Sequence, residues 1–107
     1  MKPNRQLSQR QQKAVETSLS QAFAALGECS DVHALFKDLC TPAELQALAD
    51  RWQVVQLLNQ GLSYRAINDK TGVSVTTIGR VARYLSDGAG GYSVALQALG
   101  IAPGEHQ

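Results

Sequence analysis

Arg65, Thr76, Thr77, Arg80 and Arg83 are the residues of this sequence best equipped to meet an anion, and they fall within about twenty residues of one another. A guanidinium pairs with phosphate or, bidentately, with guanine. A threonine hydroxyl bonds a phosphate or a base edge, and its methyl can touch that of thymine. The stretch that carries them reads Leu62-Ser63-Tyr64-Arg65-Ala66-Ile67-Asn68-Asp69-Lys70-Thr71-Gly72-Val73-Ser74-Val75-Thr76-Thr77-Ile78-Gly79-Arg80-Val81. Its remaining residues read as scaffold. Ser63 and Ser74 are caps for two short helices, and Gly72 supplies the positive φ of a tight turn. Val73 plugs the corner, while Ile67, Ile78 and Val81 face inward. Two helices across a glycine turn in so few residues have the dimensions of a helix-turn-helix. Left outward on the second helix are Val75, Thr76, Thr77, Gly79, Arg80 and Arg83, beside a helix N-terminus that favours phosphate. Tyr64, Arg65 and Asn68 flank them from the first helix and Ser74 from the turn, with Arg65 set for the phosphate backbone. The chemistry expected is recognition of duplex DNA, with no covalent step.

Other chemistries find little support. His33 and His106 are the only histidines, and no nucleophile elbow, phosphate loop or carboxylate pair stands out, so no enzyme is expected. Cys29, His33 and Cys40 have irregular spacing and no second Cys-x-x-Cys-like pair, so no metal site is expected. Trp52 falls on an apolar helical stripe, where core packing is its ordinary use.

The totals fit a binding protein. The 107 residues are the size of one small domain, and 44% of them are hydrophobic, enough for a core but a marginal one without a partner subunit. A net charge of +1 hides an asymmetry. Residues 28–50 carry Glu28, Asp31, Asp38, Glu44 and Asp50 against Lys37, whereas residues 62–86 carry Arg65, Lys70, Arg80 and Arg83 against Asp69. A local basic segment on a balanced chain points to a local anionic partner. No run is apolar enough for a membrane span, and Met1 to Gln6 begin a polar stretch without a secretory pattern. A cytoplasmic protein with reduced cysteines and no membrane partner is expected.

Helices must position the reading residues. Residues 5–28 read as one long helix with Val15, Leu19, Ala22, Phe23 and Leu26 at helical spacing. Asp31 suggests a cap for a second helix over 31–39, whose apolar face is Leu35, Phe36 and Leu39. Thr41-Pro42-Ala43-Glu44 is a capping-box start for a third, with Leu45, Leu48, Ala49, Trp52, Val55 and Leu58 as its stripe, Val54 and Leu57 widening it, and Gly61 as its stop. The two helices of the motif fall at 64–70 and 75–86, and a weak last helix at 92–99 follows the loop of residues 87–91. No strand is expected. The fold class is all-α, a single small multi-helix domain: residues 1–30 for dimerisation, 31–61 as core helices, 62–86 as the helix-turn-helix and 87–107 as loop, short helix and tail.

Residues 35–86 resemble the Trp repressor family, and its YerC/YecD-like branch most of all. The match runs through Leu39-Cys40-Thr41-Pro42-Ala43-Glu44, Ala47-Leu48, Arg51, Val54-Val55, Leu57-Leu58 and Gly61. It continues through Ser63-Tyr64-Arg65, Thr71-Gly72-Val73-Ser74, Thr77-Ile78 and Arg80, with Gly91-Tyr92 fitting the branch's ending. The resemblance implies an intertwined homodimer and a transcriptional repressor that enters the major groove of a pseudo-palindromic operator. It also implies a corepressor pocket, since the two arginines that sandwich tryptophan's indole in the family fall on Arg51 and Arg80. Two pocket positions differ: Val81 stands where the family has glycine and Tyr84 where it has serine. The connection between Leu58 and Ser63 is one residue shorter. Both side chains add bulk and remove polarity where the ligand would lie. The expectation is a pocket filled by the protein's own side chains and no control by tryptophan, hence no cofactor. Two alternatives stay open: a tryptophan-responsive repressor of the Trp operon, and a helical interaction module whose basic face meets an acidic protein.

Overall fold

A computed structural model describes residues 6–104, and within them the chain forms six α-helices and no strand. Arg5, in the expected first helix, and His106 lie outside the described residues. The helices are α1 (Gln9–Ala25), α2 (Cys29–Leu39), α3 (Pro42–Asn59), α4 (Tyr64–Thr71), α5 (Val75–Asp87) and α6 (Gly91–Ala98). They divide between two compact units, Met1–Pro42 and Ala43–Gln107. Among the described residues no helix is long and apolar enough to cross a membrane.

In the first unit, α1 begins later than the expected residue 5 because Ser8 closes a capping box. Its hydroxyl accepts from the Gln11 amide at 3.1 Å, and the Gln11 side chain accepts from the Ser8 amide at 2.9 Å. The helix stops at Ala25, short of residue 28, where Leu26 turns extended. Asp31 is not the cap of α2, a correction to the sequence reading. Glu28 holds the capping position, without a side-chain cap bond, and Asp31 lies inside the first turn, where its charge suits the helix dipole. Phe23 and Phe36 pack ring to ring, centroids 4.7 Å apart and tilted by 49°. Neither helix contains a buried residue. Val15 and Leu19, on the expected apolar stripe, are 49% and 46% exposed.

The second unit holds the core. Val54, Val55, Leu57 and Leu58 of α3 pack with Ile67 of α4, Val73, Ile78, Val81 and Leu85 of α5 and its approach, and Leu96 of α6. Trp52, Leu62, Ala82, Tyr92 and Ile101 lie against this cluster, half-buried. Only the C-terminal half of the α3 stripe is enclosed. Leu48 and Ala49, expected inside, are exposed. Gly61 ends α3 as expected. Its φ of 88° lets Leu62 N–H reach the Leu57 carbonyl at 3.2 Å and its own N–H reach Leu58 at 2.9 Å, the paired bonds of a Schellman cap.

The chain is tied down where the expected tail begins. Asn59 is the only buried polar residue among those described. Its side-chain Nδ2 donates to the Ala102 carbonyl at 3.0 Å, and its Oδ1 accepts from the Gly104 amide at 2.7 Å. Both halves of the amide are thereby satisfied in an apolar setting, the condition on which a buried amide is tolerated.

Candidate nucleic-acid interface

Ser63 opens α4 with its hydroxyl accepting from the Ala66 amide at 3.1 Å, and Gly72 closes it at φ 77° and ψ −1°. A residue with a Cβ would be strained there, so the turn that aims α5 depends on this glycine. The next residue is held from both sides. Val73 N–H donates to Thr71 Oγ1 at 3.0 Å, and the Val73 carbonyl accepts from Asn68 Nδ2 at 2.9 Å. Thr71 Oγ1 in turn donates to the Ile67 carbonyl at 2.7 Å. The Val73 side chain enters the core. The corner is thus fixed by two side chains that satisfy its backbone and one that fills the space beneath it, and α5 leaves it in a defined direction.

Ser74 caps α5. Its hydroxyl accepts from the Thr77 amide at 3.1 Å and donates to Thr77 Oγ1 at 3.0 Å. Ile78, Val81 and Leu85 bury one side of the helix. The opposite side carries Val75, 53% exposed, with Thr76, Arg80 and Arg83, all exposed. Gly79 lies half-buried between these sides, and Tyr64 and Arg65 are exposed at the start of α4.

Apart from Gly79, which has no side chain, the nine other residues assigned to DNA contact from the sequence separate by what holds them. Val75, Thr76, Arg80, Arg83, Tyr64 and Arg65 present side chains to solvent. Asn68 is half-buried and commits its amide to the turn. Ser74 and Thr77 commit their hydroxyls to each other and to the cap, and Thr77 is half-buried. The staple from Thr71 and Asn68 to Val73 is the part sequence reading missed. Its signal is present in retrospect, a threonine and an asparagine one and four residues before the turn glycine.

Arg51 and Arg80 line one cleft of about 400 Å³ together with Val81, Tyr84, Tyr92 and residues 89–91. The sequence reading expected this space to be filled, and it is open. Tyr84, at the edge of the cleft, also meets two arginines of its own helix. The Arg80 guanidinium lies 4.8 Å from the ring centroid and that of Arg83 lies 5.8 Å from it. Both are within cation–π range. Among the described residues no group of three or more His, Cys, Asp or Glu side chains is gathered for a metal, and Cys29 and Cys40 are free thiols.

Comparison with known proteins gives a consistent result. The family described as Trp repressor protein matches residues 14–100. The uncharacterized protein YerC of Bacillus subtilis (strain 168) is 38% identical over 81 residues, covering 76% of this chain and 78% of that protein. A crystal structure from Staphylococcus aureus, provisionally assigned as a Trp repressor, superposes with a TM-score of 0.78 at 32% identity, over 91% of this chain and 99% of that one. A TrpR-like protein from Eubacterium eligens ATCC 27750 superposes with a TM-score of 0.74 at 38% identity, over 82% of this chain and 90% of that one.

Proposed function

The chain belongs to the Trp repressor family, and on that premise we propose that it is a sequence-specific DNA-binding transcriptional regulator, a repressor, working as a homodimer on a pseudo-palindromic operator. The family is a regulatory, non-enzymatic one, which suits a chain whose functional residues bind and orient without reacting. The observation that carries the proposal is the outer side of α5. A helix anchored by three buried side chains and a stapled turn turns Val75, Thr76, Arg80 and Arg83 outward. Short side chains near the helix N-terminus suit base edges, and arginines beyond them suit phosphates. Homodimer formation is supported by the first unit. Helices of 17 and 11 residues with nothing buried need a covering surface, and a second copy of the chain supplies one.

Position and role divide the contacts, and variants separate them. On a duplex selected by the protein, Arg65→Ala should weaken binding to all sequences alike and flatten the dependence of log affinity on log salt by about one unit, as for a lost phosphate contact. Thr76→Ala should narrow the gap between preferred and scrambled duplexes. Thr77→Ala should act in the same direction while also loosening the cap. An Arg65→Ala protein that altered sequence preference and left the salt slope alone would reverse these assignments.

Control by tryptophan is not part of the proposed function. Arg80, which the family uses against the indole, lies against the ring of Tyr84, and Val81 lines the cleft. Arg80 then serves phosphate, and the reading helices need no ligand to hold them. One observation favours a second reading, a ligand-gated repressor. The cleft beside Arg51 and Arg80 is open, and about 400 Å³ is within the range of small-molecule sites. Calorimetric titration with millimolar L-tryptophan distinguishes the two. No saturable heat and unchanged operator affinity are expected, whereas one ligand per chain with tightened operator binding establishes the second reading.

A further inference from the structure

Gly79 stands five residues into α5, inside the helix and away from both ends. Glycine is the poorest helix former after proline, and alanine in its place would favour the folded chain about two- to fivefold. A glycine at such a position can serve a conformation only glycine adopts, another part of the chain, or something outside the chain. The first does not apply. The glycines of positive φ are Gly61, Gly72, Gly90 and Gly100, and Gly79 keeps helical backbone. Nor does the second apply. A Cβ built on Gly79 would meet only the Tyr64 ring, at 3.9 Å, an ordinary van der Waals contact. The protein has room for a side chain here and does without one.

What surrounds the gap indicates what uses it. On a helix the neighbours of position 79 are three and four residues away. Val75, Thr76 and Arg83 are exposed and Ala82 is half-buried. Tyr64, over a third exposed, borders the gap from α4. The floor is bare backbone, and the rim offers a hydroxyl, a methyl-bearing side chain, a phenol and a guanidinium. We propose that Gly79 marks the point of closest approach between this protein and duplex DNA. There a sugar-phosphate strand or base edge passes directly over the helix backbone, Thr76 and Tyr64 bonding on one side and Arg83 pairing with phosphate on the other. The inference rests on the DNA-binding reading and adds to it a residue that acts by having no side chain, at a cost in helix stability.

The test compares full-length wild-type protein with Gly79→Ala in three measurements: thermal unfolding, sedimentation, and affinity for the duplex that wild type enriches from a random pool. The alanine variant should melt about 2 to 8 °C higher. It should remain in the wild-type assembly state and bind the duplex roughly tenfold or more weakly, since a methyl group forced into a close-packed contact pushes the surfaces apart. Gly79→Ser should show the same loss. Wild-type affinity within twofold, at a raised melting temperature, would overturn the inference and leave the DNA-binding reading standing. A lowered melting temperature would assign the glycine to internal packing, and a change of assembly state would assign it to contact with a second copy; either overturns the inference. A wild-type protein that enriches no duplex overturns the DNA-binding reading, and this inference with it.

Discussion

Ile78→Ala should cost about 3 to 4 kcal/mol of folding free energy and take DNA binding with it. Ile78 has no exposed surface and lies in the core shared by α3, α4 and α5, opposite the exposed side of its own helix. Removing its branched side chain loses transfer free energy and leaves a cavity that rigid neighbours, Ile67 and Val81 among them, cannot collapse to fill. A domain of this size has about 5 to 15 kcal/mol in total, so the loss is a large fraction of it. Val75→Ala makes the contrast. Val75 is on the same helix, more than half exposed, and its truncation should change stability by less than about 0.5 kcal/mol while reducing operator discrimination. Urea unfolding of the two variants measures both numbers. A cost below about 1 kcal/mol for Ile78→Ala would mean that α5 is not held by the contacts described.

Leu19→Asp should separate the dimer. In sedimentation at micromolar concentration the wild-type chain, of 11.5 kDa, should run at twice that mass and the variant at the single mass. Leu19 is 46% exposed on α1, a helix without a buried residue. Burying a leucine is worth about 1.5 to 3 kcal/mol. In a two-fold interface the same residue is lost twice, and the charge that replaces it resists desolvation. Dimerisation should therefore weaken by about a hundredfold to ten-thousandfold. Because half-site spacing depends on the dimer, operator binding should fall with it even though α4 and α5 are untouched. A wild-type monomer would remove the basis for palindromic recognition. A variant dimer as tight as wild type would remove α1 from the interface.

Local signals in the sequence were sufficient for the motif because its parts are local. Ser63, Gly72 and Ser74 act on the backbone within three or four residues, and Ile67, Ile78 and Val81 follow helical spacing. Periodicity was less informative where its meaning depends on what covers a helix. Val15, Leu19, Leu48, Val94 and Leu99 all fit an apolar stripe, and all are exposed in the single chain. Spacing marks a side as apolar and does not say whether the same chain or a second one covers it. Asp31 was misplaced because several residues of capping type stand near that helix start, and Glu28 already occupies the position. The long-range contacts had no local signature. Nothing near Asn59 announces that it will hold the backbone at Ala102 and Gly104, more than forty residues away. Asn68 and Thr77 were assigned outward by type, and the structure engages them in the turn and the cap, because short polar side chains at helix ends bond their own backbone readily. The expectation for the cleft beside Arg51 rests on the bulk and lost polarity of Val81 and Tyr84 and on the shorter connection before Ser63. Tyr84 and Val81 line the cleft without filling it, and Tyr84 also meets Arg80 and Arg83.

The central claim is that α4 and α5 of a dimer read duplex DNA, and selection of bound duplexes from a random pool tests it most directly. The full-length protein, without added amino acids, should enrich sequences with two related half-sites about one helical turn apart, roughly 34–36 Å between centres. An enriched duplex should compete for the protein against its scrambled counterpart. Recovery of the starting pool after repeated rounds, together with capture of an acidic protein that duplex DNA fails to displace, would contradict the account and leave the chain as a helical interaction module.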